Sequence, residues 1–116
     1  MKTFSQRNLE RCESPQGFNH ELASWTLSDW MTATLGELGE AANIIKKLNR
    51  HRDGIQEPIP EKELRSMLAD ELADAYIYLD LIFQAAGIDK DYAVERKFKK
   101  TSEKIGYPEP LELRDA

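Results

Sequence analysis

The sequence is poor in cysteine and has no long apolar run. Its one cysteine, Cys12, excludes an intramolecular disulfide and a cysteine-rich zinc site. No uninterrupted apolar segment approaches the roughly 20 residues that span a bilayer, and residues 1–14 lack the apolar core of a secretory signal. We therefore expect a cytoplasmic protein with no contact with the membrane.

Basic residues are also in deficit. The chain has 16 lysines and arginines against 21 aspartates and glutamates, a net charge of −5 that argues against binding to a nucleic acid polymer. Hydrophobic residues make up 41% and charged residues 32% of the 116 positions, which is typical of a globular domain rather than a disordered chain. The length predicts a single domain, residues 1–116.

Strand-like alternation is missing too, and the apolar spacing predicts an all-α fold. The second helix is expected to begin with Ser28 as its N-cap, and glycines are expected to end the later helices. The predicted helices cover about 4–13, from 28 to between 49 and 53, about 61–87 and about 89–106. Residues 15–25 are expected to form an irregular loop, and residues 108–116 an extended or loose tail.

The apolar residues of the later helices predict an oligomer. In the third helix, the stretch ADAYIYLDLIFQAAGI at residues 73–88 is apolar on nearly every side and must be covered all round. In the fourth helix, Tyr92, Val94 and Phe98 are expected to make apolar contacts. A chain of this length has too few other helices to cover the third one. We therefore expect a helical bundle of about four helices per chain, completed by dimerisation or by a dimer of dimers.

Two acidic pairs stand on the two long predicted helices. Glu37 and Glu40 lie three residues apart on the second helix, and Glu71 and Asp74 have the same spacing on the third. Residues three apart lie on neighbouring helix positions and can aim at one point. Both pairs fall at the edge of the apolar stripe rather than opposite it, so antiparallel packing of the helices would bring them together.

Four carboxylates at low dielectric repel one another unless a cation lies between them. All-oxygen ligation suits Mg²⁺, with Mn²⁺ as a substitute. A zinc site or a ferritin-like di-iron site would need nitrogen or sulfur ligands near the acids, whereas His20 and His51 lie outside both motifs. Solvated surface charge is the alternative interpretation of the pairs.

Basic residues follow the first acidic pair at a distance of about two turns. Lys46, Lys47 and Arg50 are candidate phosphate contacts, with arginine binding phosphate in a bidentate manner and lysine acting as a point charge. The alternative is a basic cluster that complements the helix dipole. On the fourth helix Lys97 is a further candidate phosphate contact, because it adjoins the apolar residue Phe98.

Two aromatic residues are candidates for contact with a base or sugar. Tyr78 follows Asp74 by one helical turn, although core packing would explain it equally well. Trp25 lies just before the second helix, where a hydrophobic staple is the alternative role. Trp30 matches the apolar stripe and is predicted to be core.

The paired acidic motif resembles that of the MazG-like all-α nucleoside triphosphate pyrophosphohydrolases. The resemblance rests on the spacing of Glu37–x–x–Glu40 and Glu71–x–x–Asp74 and on three stretches that cover most of the chain: GELGEAANIIKKLNR (36–50), DELADAYIYLDLIFQAAGID (70–89) and ERKFKKTSEKIGYP (95–108). It implies Mg²⁺-dependent hydrolysis of nucleoside triphosphates, typically deoxynucleotides, to the monophosphate and pyrophosphate, in the manner of nucleotide-pool house-cleaning enzymes. It also implies helical dimers or dimers of dimers with sites between subunits.

The resemblance implies roles for individual residues as well. Glu37, Glu40, Glu71 and Asp74 would be catalytic metal ligands, and Lys46, Lys47, Arg50 and Lys97 would be phosphate contacts. Two positions depart from the family pattern: Gly36 stands where relatives often have another glutamate, and Lys99 where they often have asparagine. A non-catalytic nucleotide-binding or regulatory module and a helical oligomeric adaptor remain alternatives.

Overall fold

The computed structural model describes residues 1–113, and within them the predicted all-α fold is confirmed. The helices are α1 (Phe4–Glu13), α2 (Leu27–Arg52), α3 (Glu61–Ala85) and α4 (Lys90–Ile105), with one 3₁₀ turn at Leu22–Ser24 before α2. Residues 107–113 have no regular secondary structure, as predicted for the tail, whereas the rest of the predicted tail, residues 114–116, lies outside the described residues.

The start of α2 differs from the prediction. Thr26, not Ser28, is the N-cap, because Thr26 and Asp29 form a reciprocal capping box. The Thr26 hydroxyl accepts a hydrogen bond from the Asp29 amide at 3.2 Å, and the Asp29 carboxylate accepts one from the Thr26 amide at 3.0 Å. Ser28 therefore lies inside the first turn.

The later helix ends follow the expected signals closely. The Asp89 carboxylate accepts a hydrogen bond from the Tyr92 amide at 3.0 Å and caps α4. Gly106, at φ 79°, ends α4 in the left-handed conformation that favours glycine. Helix α3 ends at Ala85, slightly before the predicted Gly87.

Helices α2 and α3 form an antiparallel hairpin whose connection, residues 53–60, is held at two points. Arg50 makes an ion pair with Glu57 at 3.1 Å, and the Glu57 side chain is only 2% exposed. His51 Nε2 donates to the Ile59 carbonyl at 2.6 Å. The Ile59 amide and, with it, Arg50 lower the pKa of Glu57 despite its burial. The connection is therefore tied to the end of α2.

The core lies where α1 and the segment before α2 meet the hairpin. Cys12, Trp30 and Leu81 are buried together, and Leu22 and Tyr78 pack against them. The predicted core position of Trp30 is confirmed, since the residue is 2% exposed. Because Trp30 lies near the start of α2 and Leu81 near the end of α3, this contact also sets the antiparallel register of the hairpin.

A buried carboxylate joins α1, α3 and α4. Asp80 on α3 is 1% exposed. Its oxygens accept hydrogen bonds, at distances between 2.5 and 2.9 Å, from four side chains: Asn8, Lys90, Ser5 and Gln84. Burial favours the neutral acid, but these hydrogen bonds, led by that of Asn8, lower the pKa of Asp80 overall. The ammonium of Lys90 also lies over the rings of Phe4 and Tyr76, at 4.7 and 5.1 Å from their centroids.

Helix α4 leaves much of its apolar surface uncovered. Within residues 1–113, α3 is the only helix whose backbone lies close to that of α4 along its length. Tyr92, Val94 and Phe98, which were expected to make apolar contacts, are 40–56% exposed in the single chain. The Cα radius of gyration is 17.8 Å, whereas a compact domain of this length has about 13 Å. The spacing on α4 identified an apolar face correctly, but this chain alone does not bury it.

Helix α2 has a similar exposed stripe. Met31, Leu35, Leu38 and Ile45 are 42–58% exposed. Their spacing of four, three and seven residues places them on one face of the helix. Across residues 1–113, no helix combines the length and the apolar character needed to cross a membrane.

Candidate metal and nucleotide site

The antiparallel hairpin brings the two acidic pairs together. One carboxylate oxygen each of Glu37, Glu71 and Asp74 lie within 4.8 Å of one another. Glu40 adjoins the same group, since the neighbouring Glu71 carboxyl is the main cause of its raised pKa. The two pairs therefore form one acidic cluster between α2 and α3, which we define as Glu37, Glu40, Glu71 and Asp74.

The electrostatics of this cluster reflect carboxyls that face one another. Pairing with the Glu71 carboxyl, which needs a shared proton, raises the pKa of Glu40. Pairing with Glu37 likewise raises the pKa of Glu71, although Glu40 opposes part of that rise. Glu71 Oε2 is buried and accepts no hydrogen bond from any N–H or hydroxyl group of residues 1–113. A buried oxygen without a donor is costly for the protein alone, so this atom fits a ligand to a cation.

The basic residues predicted to contact phosphate occupy different surroundings. Arg50 is paired with Glu57, and the charge of Lys47 also acts on Glu57. Arg50 therefore stabilises the connection after α2, and it also lies in the last turn of that helix, where a basic residue complements the dipole. Lys46 is exposed on α2. Lys97 lines an apolar groove on α4 that shares no residue with the acidic cluster.

A cavity of about 430 Å³ adjoins the acidic cluster. Glu37 and Asp74 belong to both, so the cavity opens beside the acids. Trp25 and Tyr78, the two predicted base or sugar contacts, line it. It also contains residues that the sequence did not single out for a ligand: Asn8, Arg11, Cys12, Phe18 and His20.

Aromatic rings form one wall of this cavity. The Trp25 and Trp30 rings pack edge to face with centroids 4.7 Å apart, across the first turn of α2. This contact is the hydrophobic staple that was the alternative role of Trp25, and Trp25 nonetheless stays 37% exposed on the cavity side of the helix. The Trp30 indole is fixed by donating to the Leu22 carbonyl at 3.0 Å.

Tyr78 connects the aromatic wall to the acids. Its ring centroid lies 6.2 Å from that of Trp30, so it packs against the core as the alternative reading expected. Burial, followed by the charges of Glu37 and Asp74, raises the pKa of the Tyr78 phenol. Tyr78 is therefore a neutral donor beside the acidic cluster as well as part of the core.

The segment after α1 supplies the residues that the sequence did not identify. Asn19 has a positive φ of 50°, and this bend turns the chain back along α1. The His20 amide then donates to the Cys12 carbonyl at 2.8 Å, while the Cys12 thiol contacts the His20 carbonyl at 3.1 Å. No periodic pattern marks such a loop in advance, because its path depends on individual hydrogen bonds.

The two departures from the family pattern lie in open positions. A Cβ atom added at Gly36 would meet no atom within 4 Å, so the backbone there leaves room for the first atom of a side chain. Lys99 is exposed, and its Nζ lies 4.0 Å from Glu103 Oε1. Nothing in the structure explains either departure.

No family model, curated protein or solved structure matches the chain.

Proposed function

We propose that the protein is a Mg²⁺-dependent hydrolase that converts nucleoside triphosphates, chiefly deoxynucleotides, to the monophosphate and pyrophosphate. The observation that supports this best is the acidic cluster, with its buried and unpartnered Glu71 Oε2, beside an aromatic cavity that shares Glu37 and Asp74. The resemblance of the motif to MazG-like enzymes agrees with the proposal, and house-cleaning of the nucleotide pool is the role we infer from it.

The donor set of the cluster fits a hard divalent cation. Glu37, Glu71 and Asp74 present oxygens close enough together to share one ion, and oxygen-only ligation favours Mg²⁺ or Mn²⁺. When bound, the ion would neutralise phosphate charge and lower the pKa of a coordinated water. Glu71 would gain most, because its buried oxygen would acquire the positive partner that residues 1–113 do not supply.

The shared residues indicate how the substrate would lie. Glu37 and Asp74 stand at the boundary between the acids and the cavity. The triphosphate would lie at the acidic cluster, and the base would enter the cavity beside Trp25. Tyr78 lies between the two regions and would donate to the sugar or to the α-phosphate.

Glu40 is the group we assign to proton removal. It adjoins Glu71 but stands outside the three residues whose oxygens converge. Its carboxylate would take a proton from the attacking water as the water oxygen bonds to the α-phosphorus. The bond from that phosphorus to the bridging oxygen then breaks, and the electron pair leaves with pyrophosphate.

The phosphates also need cationic partners from this chain or a second copy. Lys46 is exposed on the helix that carries Glu37, and we assign it the first phosphate contact. Arg50 would contribute to the positive potential while it stays paired with Glu57, and Lys47 would add its charge from the same helix. Lys97 reaches the site in our proposal only from another subunit, because its own groove is separate from the acids.

We further propose a homodimer or homotetramer. Apolar faces on α2 and α4 are exposed in the single chain, and within residues 1–113 α3 is the only helix whose backbone lies close to that of α4. Burying such faces against a second copy would be favourable at about 25 cal/mol per Å² of apolar surface. Light scattering that shows a stable monomer at micromolar concentration would contradict this part of the proposal. A cytoplasmic location stays a prediction from the sequence.

Pyrophosphate release tests the enzymatic proposal. The protein with Mg²⁺ should release pyrophosphate from at least one member of a panel of ribo- and deoxynucleoside triphosphates. Glu71→Gln should reduce the rate by about a hundredfold or more, the scale expected when electrostatic stabilisation of the reacting phosphate is lost. The matched control is Asp70→Asn, an exposed neighbour on the same helix that lies outside the cluster, and its rate should not change.

Two results would separate the alternatives. Binding of nucleotide and Mn²⁺ by calorimetry, without turnover of any nucleotide, would replace the enzyme with a non-catalytic nucleotide-binding module. Absence of both binding and turnover would leave a helical interaction adaptor whose acids are solvated.

A further inference from the structure

The cavity beside the acidic cluster contains a polar group in a fixed orientation, the imidazole of His20. The His20 ring packs against Trp25 and Trp30, with centroid distances of 4.6 and 5.3 Å. Its backbone is held by the two contacts with Cys12 described above. A side chain fixed in this way loses little conformational freedom when one of its ring nitrogens binds a ligand.

The partners of one ring nitrogen determine the tautomer. His20 Nδ1 lies 3.0 Å from the Glu21 carbonyl oxygen, which can only accept. It also lies 3.2 Å from Ser24 Oγ, whose own proton is directed to the Glu21 carbonyl at 2.6 Å. Both neighbours therefore require the neutral imidazole to carry its proton on Nδ1. Nε2 then has a lone pair and is an acceptor.

This acceptor has no role in the fold within residues 1–113, where no hydrogen bond reaches His20 Nε2. The ring is held in place by the hydrogen bonds of Nδ1 and by its contacts with Trp25 and Trp30. Phe18, Trp25 and Trp30 line the same cavity and offer flat apolar surfaces. A planar ring with a hydrogen-bond donor on its edge satisfies both features, by stacking and by donating to Nε2.

We propose that this cavity binds the nucleotide base and that His20 Nε2 selects bases with an exocyclic amino group, an inference that rests on the proposed function. Cytosine and adenine present an amino donor where uracil and hypoxanthine present an oxo group. When the wall holds each base with its exocyclic group at Nε2, an oxo oxygen there would make no hydrogen bond and would leave both acceptors unpaired. The cavity would therefore distinguish bases of almost identical shape by the direction of one hydrogen bond.

Arg11 is the one charged donor among the residues that line the cavity, and it would favour the opposite choice. Its guanidinium lies over the Phe18 ring at 5.3 Å from the centroid, so it stacks on the wall that faces solvent. Arg11 is exposed, whereas His20 is half-buried. We assign Arg11 to the rim and the discrimination to His20.

Tryptophan fluorescence tests this inference without requiring turnover. The chain has two tryptophans, and both line the cavity, so quenching reports a base that enters it. The probes are α,β-imido analogues of dCTP, dUTP, dATP and dITP with Mg²⁺. We expect dissociation constants about tenfold lower for the dCTP than for the dUTP analogue, and for the dATP than for the dITP analogue, the effect of one hydrogen bond in a partly buried site.

The matched variant is His20→Phe, which keeps an aromatic ring and removes Nε2. It should bring both affinity ratios close to one by weakening the amino members, with an unchanged far-ultraviolet circular dichroism spectrum. Equal affinities in the wild type, tighter binding of the oxo members, or an absence of quenching would each overturn the inference. The wild-type ratios decide the matter even if the variant does not fold.

The test of base selection by His20 can fail or succeed independently of the test of pyrophosphate release. Pyrophosphate release with no preference within either pair would leave the enzyme intact and reject the role of His20. Selective quenching without pyrophosphate release would uphold the base selection and reject the hydrolase.

Discussion

Asp80 and Glu71 lie on the same helix, α3, and hold their carboxylates in opposite surroundings. Asp80 accepts hydrogen bonds from four side chains, including an ammonium, and its pKa is lowered. Glu71 faces other carboxyls, has a buried oxygen without a partner, and its pKa is raised. The chain satisfies the first acid entirely from its own residues. The second has a buried oxygen without such a donor within residues 1–113, and in our proposal a bound cation is its partner.

Removing the satisfied acid should have the largest effect on stability. Asp80→Ala leaves the Lys90 ammonium without its buried partner, and we expect a loss of about 3 kcal/mol in the free energy of unfolding. Urea denaturation measures it. Lys90→Met should cost less, because Asp80 keeps its bonds from Ser5, Asn8 and Gln84. If Asp80→Ala lowered the free energy of unfolding no more than removal of an exposed acid does, Asp80 and Glu71 would not differ in the way described.

Supplying the missing partner should stabilise the protein through the other acid. At a Mg²⁺ concentration one hundred times its dissociation constant, the free energy of unfolding should rise by about 2.7 kcal/mol. Differential scanning calorimetry with and without Mg²⁺ measures this. Glu71→Gln should abolish the increase, whereas Asp70→Asn should retain it. An equal increase in all three proteins would mean that the ion binds elsewhere.

Neutralising the unsatisfied acid should act in the direction opposite to Asp80→Ala. Without divalent ions, Glu71→Gln removes repulsion within the acidic cluster, and its thermal midpoint should lie above that of the wild type. Adding EDTA to both samples excludes bound metal. A lower midpoint for the variant in EDTA would show that Glu71 has stabilising contacts of its own.

The smallest expected effect is a change in the pH dependence of stability. Because the pKa values of Glu40 and Glu71 are raised in the folded state, folded protein binds more protons than unfolded protein above about pH 4.3. The metal-free protein should therefore lose stability as pH rises from that value through the folded pKa values.

Asp80 gives the opposite dependence. Its pKa is lowered by folding, so its contribution is present above the ordinary aspartate value, about 3.9, and is lost as pH falls through the folded pKa. Thermal midpoints in EDTA should thus be highest in mild acid. Glu71→Gln should flatten the alkaline side of this profile only, and a flattened acid side would contradict the assignment.

Sequence reasoning predicted the helices, since capping residues and glycines act locally. It also predicted that the acids of α2 and α3 would converge, because i,i+3 spacing and an antiparallel hairpin suffice for that. It placed the α2 N-cap wrongly, since Ser28 and Thr26 are both acceptable caps and the partner Asp29 decides between them. The proposed chemistry of the acids stays a prediction that activity measurements must test.

The position of His20 and the exposure of α4 could not be predicted from the sequence, for physical reasons. The position of His20 depends on the left-handed Asn19 and on hydrogen bonds to Cys12, which no periodicity encodes. The exposure of α4 depends on which surfaces meet, whereas the spacing of Val94 and Phe98 only shows that one side is apolar.

The connection between α2 and α3 also determines the position of α3 along α2. Glu40 and Arg50 are separated by about 15 Å of helix, yet the Arg50–Glu57 and His51–Ile59 contacts determine how far α3 can slide along α2. A slip of one turn would move Glu71 by about 5.4 Å and separate it from Glu37. The length of this connection therefore helps to determine the distances between the carboxylates of the acidic cluster. Insertions in the connection should change those distances although no acidic residue of the cluster is altered.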